Sequence, residues 1–220
     1  MPALVPRLVA IAGLAVAFLA TTMAVSAGMF LTLDRQVLQA MSTIWSESLH
    51  VPFQVIAELG SLELTSVLVI GLAVYLVRNG FGADAWALVA FIATMGLEVL
   101  YKVNLHQPGP PRSAAHNDGP SLTELVAGTG PLANSFPSGH VVRAVVVYGL
   151  LAFVVRRLAP WPLARTLAIP VATFIILLVA FDRLYLDVHW ESDVIGGLLL
   201  GAIGFLSATV WLDRPLRADN

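Results

Sequence analysis

From Leu8 to Leu33 the chain carries no charged side chain. An α-helix needs about 20 mostly apolar residues to cross the hydrocarbon of a bilayer, and this run supplies them. Shorter apolar runs follow, separated by polar connections. Crossings are predicted at residues 8–32, 62–77, 85–101, 139–155, 165–181 and 190–212. Composition agrees: apolar and aromatic residues make up 58% of the 220 and charged residues 12%, with a mean hydropathy of +0.83. A soluble domain carries about 25% charged residues, so this chain has too few to cover a surface in water. A soluble enzyme and a disordered chain are excluded. A net charge of −2 argues against nucleic acid as a partner, because phosphate backbones are bound by clustered positive charge. With no cysteine, disulfide frameworks, thiolate nucleophiles and Cys-based zinc sites are absent. The expected fold is all-α: a single six-transmembrane-helix bundle spanning residues 1–220.

Val25-Ser26-Ala27 offers small residues where a signal peptide would be cut. The apolar run is long for a signal sequence, however, and only Arg7 marks a basic start, so it is read as the first crossing. Placing the N-terminus inside puts Arg7, Arg78, Arg156, Arg157, Arg165, Arg214 and Arg217 on the cytoplasmic side. Arg35, Lys102, Arg112 and Arg183 then lie outside, with Arg143 inside a crossing. That bias favours cytoplasmic N- and C-termini in a cell membrane. The compact size fits a bacterial inner membrane.

Two connections are long. Within Asp34–Ser61, the residues Val37, Leu38, Met41, Ile44, Trp45 and Leu49 form a helical stripe. They predict an interfacial helix with Trp45 at headgroup depth. Residues 103–137 hold many prolines and glycines and are expected to form an outer loop beyond the hydrocarbon. Ser121 and Glu124 fit a capping box there. His50, His106 and His116 lie in these non-crossing segments and are read as solvent or interface histidines.

Ionisable residues beside crossings are costly and point to function. Here they gather at one predicted face. Lys102 ends the third crossing, Ser138-Gly139-His140 opens the fourth, Asp182-Arg183 ends the fifth, and His189 and Asp193 begin the sixth. His189 and Asp193 are four apart and share a helix face, where a carboxylate fixes an imidazole's tautomer. Glu98 and Lys102 have the same spacing and form a natural ion pair. Ser138-Gly139 before a long helix suits an N-cap, and a helix N-terminus binds anions. Together these residues outline a phosphate cradle facing two histidines.

Their order resembles the type 2 phosphatidic acid phosphatase superfamily, membrane lipid phosphatases related in fold to vanadium haloperoxidases. That family carries the motifs K-x6-R-P, P-S-G-H and S-R-x5-H-x3-D. Pro137-Ser138-Gly139-His140 matches the second. Arg183, His189 and Asp193 match the third, with Asp182 in place of its serine. The first departs: Lys102 and Pro110 are present, but Gly109 stands at the arginine position and Gln107 where many members carry another arginine. Arg112, or Arg143 one turn beyond His140, is the candidate replacement. Otherwise Arg112 is a solvated loop charge and Arg143 a snorkelling one.

The resemblance implies that His189 attacks phosphorus to give a phosphohistidine, with Asp193 orienting it. His140 would serve as acid for the leaving group and then as base for water. Lys102, Ser138, Gly139 and Arg183 would hold the phosphoryl oxygens. One histidine neutral and the other protonated predicts a bell-shaped pH profile. No cofactor and no metal are expected, since neither HExxH nor a carboxylate cluster is present. The expected partners are the bilayer and a lipid phosphate substrate: phosphatidic acid, phosphatidylglycerol phosphate, or a polyprenyl phosphate or diphosphate. The thinned arginine complement leans towards a monophosphate. The alternative is a non-catalytic lipid-phosphate binder or transporter using the same cluster.

Overall fold

A computed structural model describes residues 4–111 and 134–212. The helices run α1 Leu4–Ser26, α2 Leu31–Ile44, α3 Glu47–Ala57, α4 Leu62–Arg78, α5 Val89–Asn104, α6 Gly139–Leu158, α7 Pro162–Tyr185 and α8 Glu191–Leu212. Short 3-10 segments, Glu58–Gly60 and Gly82–Leu88, lead into α4 and α5. Among the described residues the fold is all-helical, apart from one isolated bridge between Pro108 and Asn134.

The centre of the bundle is α6. Residues on all its faces are buried, from Val141 and Val142 through Val146 and Val147 to Leu150 and Val154, as expected of a helix enclosed by others. It packs chiefly against α7 and α8, while α1 lies along α8. The approach of α8 to α6 depends on small residues. A Cβ at Gly197 would stand 2.8 Å from the Ser138 carbonyl oxygen, and one at Gly201 would stand 2.7 Å from Val145 Cβ. Such spacing lets two backbones meet, as helices packed within a bilayer commonly do.

The outer helices turn large apolar side chains away from this core. Val16, Met23, Val67, Ile92 and Phe174 are each more than 60% exposed, a surface that lipid solvates and water does not. By length and composition α1, α7, α8 and the segment Gly82–Asn104 are able to cross a membrane. Glu47–Gly60 with Leu62–Arg78 makes a fifth candidate, bent by 41° at Ser61. Each of the six predicted crossings overlaps a helix, with shifted ends, but among the described residues four helical segments, or five with the bent pair, are long and apolar enough to cross, and α6 is not one of them.

The first helix stops at Ser26, short of the predicted residue 32. Gly28 adopts φ +70° in the turn that separates α1 from α2, so residues 27–33 belong to the turn and the next helix. The single interfacial helix predicted over Val37–Leu49 is two helices. The chain becomes extended at Trp45 and Ser46, where the Ser46 N–H donates to the Tyr185 hydroxyl at 2.8 Å. Ser121, Glu124, His116 and Arg112 lie outside the described residues.

Candidate active site

The polar residues singled out above converge where α5 and α7 end and α6 and α8 begin. Lys102 sits in the last turn of α5, Ser138 at the N-cap position of α6, Arg183 in the last turn of α7 and Asp193 in the first turn of α8. His189 lies in the short link between α7 and α8. Backbone bonds tie the pieces together. The Ser138 N–H donates to the Asp193 carbonyl at 3.0 Å, and the His189 N–H to the Arg183 carbonyl at 3.3 Å.

His189 Nδ1 is 3.2 Å from Asp193 Oδ2, which also accepts the Trp190 backbone N–H at 2.9 Å. The other oxygen, Oδ1, accepts from the Gln107 side-chain amide at 3.3 Å, and that amide also donates to Ser192 Oγ at 3.1 Å. A fully buried carboxylate thus has both oxygens satisfied and accepts the Nδ1 proton, which leaves the lone pair of His189 on Nε2. Burial pushes the His189 pKa below its ordinary value. The Asp193 hydrogen bond and charge oppose this, while Lys102 and Arg183 add to the lowering. The contact with Asp193 engages Nδ1 and leaves Nε2 as the ring nitrogen without a recorded partner among the described residues.

A second network surrounds His140. Buried Glu98 receives Lys102 Nζ on Oε1 at 3.1 Å and Arg143 Nη1 on Oε2 at 3.4 Å. Arg143 also donates from Nε to the Gly60 carbonyl at 3.0 Å, and its Nη2 is 3.4 Å from His140 Nδ1. The expected Glu98–Lys102 pair is present. Arg143 does not snorkel: it is 3% exposed and faces inward to the histidine.

Ser138 occupies the cap position, yet its side chain makes no cap bond. Its Oγ is buried without a hydrogen-bond partner among the described residues, a costly state that a phosphoryl oxygen would relieve. Arg183 donates from Nε to Asp182 Oδ2 at 2.7 Å, and its Nη2 pairs with the same oxygen. The aspartate at the motif's serine position thus neutralises the arginine beside it. Gly109 has an ordinary amount of room around it, with Ser135 and Val188 nearest. Arg143 takes up a different post, against His140. Among the described residues no three His, Asp or Glu side chains are grouped to hold a metal ion. His106 is exposed and His50 half-buried on α3.

Sequence reasoning missed three contributors. Gln107 stands in the sequence only as a substitute for arginine, and its contact with Asp193 spans 86 residues, beyond any local pattern. Glu98 was paired with Lys102 but not with Arg143. Asp34 on α2 accepts both the backbone N–H and the hydroxyl of Ser192, each at 2.9 Å, a contact across 158 residues that no local pattern announces.

The family model of the PAP2 superfamily matches residues 84–217. Phosphatidylglycerophosphatase B of Bacillus subtilis is 40% identical over 72 residues, covering 32% of this chain and 36% of that protein. A putative undecaprenyl-diphosphatase of Escherichia coli is 41% identical over 78 residues, 35% of this chain and 34% of that one. The matches thus span about a third of these curated relatives. A crystal structure of a transmembrane PAP2-type phosphatidylglycerolphosphate phosphatase from Bacillus subtilis superposes with a TM-score of 0.75 at 25% identity. It covers 94% of this chain and 98% of that one.

Proposed function

Since the chain belongs to the PAP2 superfamily, we propose that it is a membrane lipid phosphatase, hydrolysing a phosphomonoester or diphosphate of a lipid through a phosphohistidine. The observation that carries the reading is the pairing of His189 Nδ1 with buried Asp193, which leaves Nε2 as the nucleophile. In the first step Nε2 attacks phosphorus and the leaving oxygen departs towards His140. Water then attacks phosphorus and frees His189. Lys102, Arg183, the unpartnered Ser138 hydroxyl and the Gly139 N–H hold the phosphoryl oxygens, whose charge fixed donors stabilise. In this reading the bundle crosses the membrane six times with both termini cytoplasmic, and the site opens at the outer face, where a lipid's phosphate sits while its chains stay in hydrocarbon. The chemistry uses no metal.

Phosphate release from lipid monophosphates and diphosphates by the purified protein, beside His189→Ala, tests this. Release by the wild type and none by the variant is expected. Equal release by both overturns the nucleophile. Binding without release by the wild type supports the non-catalytic alternative, which the altered first motif keeps in view. Turnover should survive exhaustive chelation; loss restored by a divalent ion overturns the metal-free scheme.

A further inference from the structure

The described residues enclose a cavity of about 540 Å³ along the half of α6 that leads away from the candidate active site. That volume falls among small-ligand sites, which run from about 300 to 1,000 Å³. The floor is α6, from Val145 past Gly149 and Ala152 to Arg156, and the walls are Ile169 and Ile176 of α7 and Phe205 of α8. Small residues keep the floor low: a Cβ at Gly149 would stand 2.8 Å from the Phe205 ring. Towards the active site the cavity ends, because there Ala180, Leu184, Val194 and Leu198 gather over Val141 and Val145 in one apolar cluster.

Length and charge select an occupant. Val145 and Arg156 are eleven residues apart on α6, about 16 Å at 1.5 Å per residue, or half of the roughly 30 Å of hydrocarbon in a bilayer. The walls belong to α7 and α8, both long and apolar enough to cross a membrane, so the cavity occupies a single leaflet. A crossing helix from a partner would run into the closed half, whereas one acyl chain fits the open half. The far end is positive. Arg156 is exposed, with no hydrogen bond or ion pair recorded among the described residues, while Arg157 beside it is taken by Asp84 at 3.1 Å. No acidic residue occurs between Gly149 and Phe181. The first turn of α7 adds the positive end of a helix dipole, and its cap residue Trp161 makes no side-chain cap bond.

We propose that this cavity binds an anionic phospholipid of the leaflet opposite the candidate active site, one acyl chain lying along α6 and the headgroup phosphate meeting Arg156 at the mouth. The site shares no residue with the proposed catalytic machinery and stands whether or not the chain is a phosphatase. Phosphatidylglycerol is a suitable probe, since its phosphate is a diester and not a substrate of the chemistry proposed above.

Native mass spectrometry of the detergent-solubilised protein, titrated with phosphatidylglycerol, tests the proposal. One lipid should be retained with about fivefold or greater preference over phosphatidylcholine of the same chains, the equivalent of about 1 kcal/mol for one cation at an anionic lipid surface. Arg156→Gln should abolish that preference. Thr173→Phe, which sets a ring over the cavity from an exposed lining position, should weaken retention of both lipids. A photoactivatable acyl chain on the phosphatidylglycerol should crosslink to residues 145–156 and 169–176. Equal retention of the two lipids by the wild type, a preference unchanged in Arg156→Gln, or crosslinks spread over the outer helices overturns the proposal. Displacement by inorganic phosphate would put the lipid at the candidate active site, and crosslinks joining two copies through these segments would make the occupant a second copy; either result also overturns it. If a variant does not fold, the wild-type preference and the crosslink map decide.

Discussion

Asp34 accepts two hydrogen bonds from Ser192, one from its backbone N–H and one from its hydroxyl, both at 2.9 Å. Asp34 lies on the helix after the first turn of the chain, and Ser192 stands next to the aspartate that orients His189. The contact pins the start of α8, where first-turn N–H groups lack helical partners. Burial raises the Asp34 pKa, opposed by these two bonds. Above its ordinary value the folded state therefore holds the Asp34 proton more tightly than the unfolded chain, and stability falls as pH rises through that window. Asp34→Ala, which takes the acceptor from the Ser192 N–H and hydroxyl, should cost about 1–3 kcal/mol and lower turnover by loosening Asp193. Thermal unfolding with and without the substitution checks the first, and kcat the second.

Asp193→Asn keeps the shape of the orienting group and removes its charge. Turnover should drop by about 10²–10⁴-fold with little change in KM. The pH profile gives a separate readout. With the His189 pKa lowered by burial, kcat/KM should hold at neutral pH and fall on the acid side only below the ordinary histidine value of about 6.5. The same shift means that the unfolded chain takes up this proton more readily, so stability declines as pH drops below that value. An acid limb centred above 6.5 would contradict the assignment.

A methyl group at Gly139 would fall on Glu98 Oε1. Glu98 cannot move without releasing Lys102 and Arg143, so Gly139→Ala should destabilise by about 1–3 kcal/mol, as overpacking does. It should also reduce activity in the folded fraction. Urea or thermal melts give the first quantity, and initial rates normalised to folded protein give the second.

Gln107 supplies the only donor recorded to Asp193 Oδ1 among the described residues. Gln107→Ala should lower kcat by about tenfold, the equivalent of 1.4 kcal/mol for a hydrogen bond to a charged group. Gln107→Glu should lower it further, because a second carboxylate would face the first. Steady-state kinetics on the two variants rank them; a Glu variant more active than the Ala variant would remove Gln107 from the network.

The apolar runs were legible because hydropathy is a local property: each predicted crossing overlaps a helix, and the 62–77 prediction matches Leu62–Arg78 almost to the residue. Helix ends were less legible where the stop was made by backbone geometry. Gly28 turns the chain inside an uncharged stretch, and Ser46 is straightened by a tyrosine 139 residues away. The motifs made Ser138, Arg183, His189 and Asp193 conspicuous, because residue type and spacing alone carry the pattern. Arg143 was conspicuous only as a charge in an apolar helix, with two opposite readings open.

Sequence by itself determined the solvent this chain needs, the helices it forms and the pairing of a histidine with an aspartate four residues on, since these follow from composition and from spacings of a few residues; the structure places that histidine in the link before α8 rather than on its first turn. The tertiary structure decided which polar groups meet across helices. Glu98 is shared between Lys102 and Arg143, Gln107 and Asp34 serve the start of α8, and Arg143 meets the ring of His140. Those partnerships depend on how closely α6 is enclosed by its neighbours. In a low-dielectric interior a buried donor without an acceptor is costly, and packing sets which acceptor lies within reach.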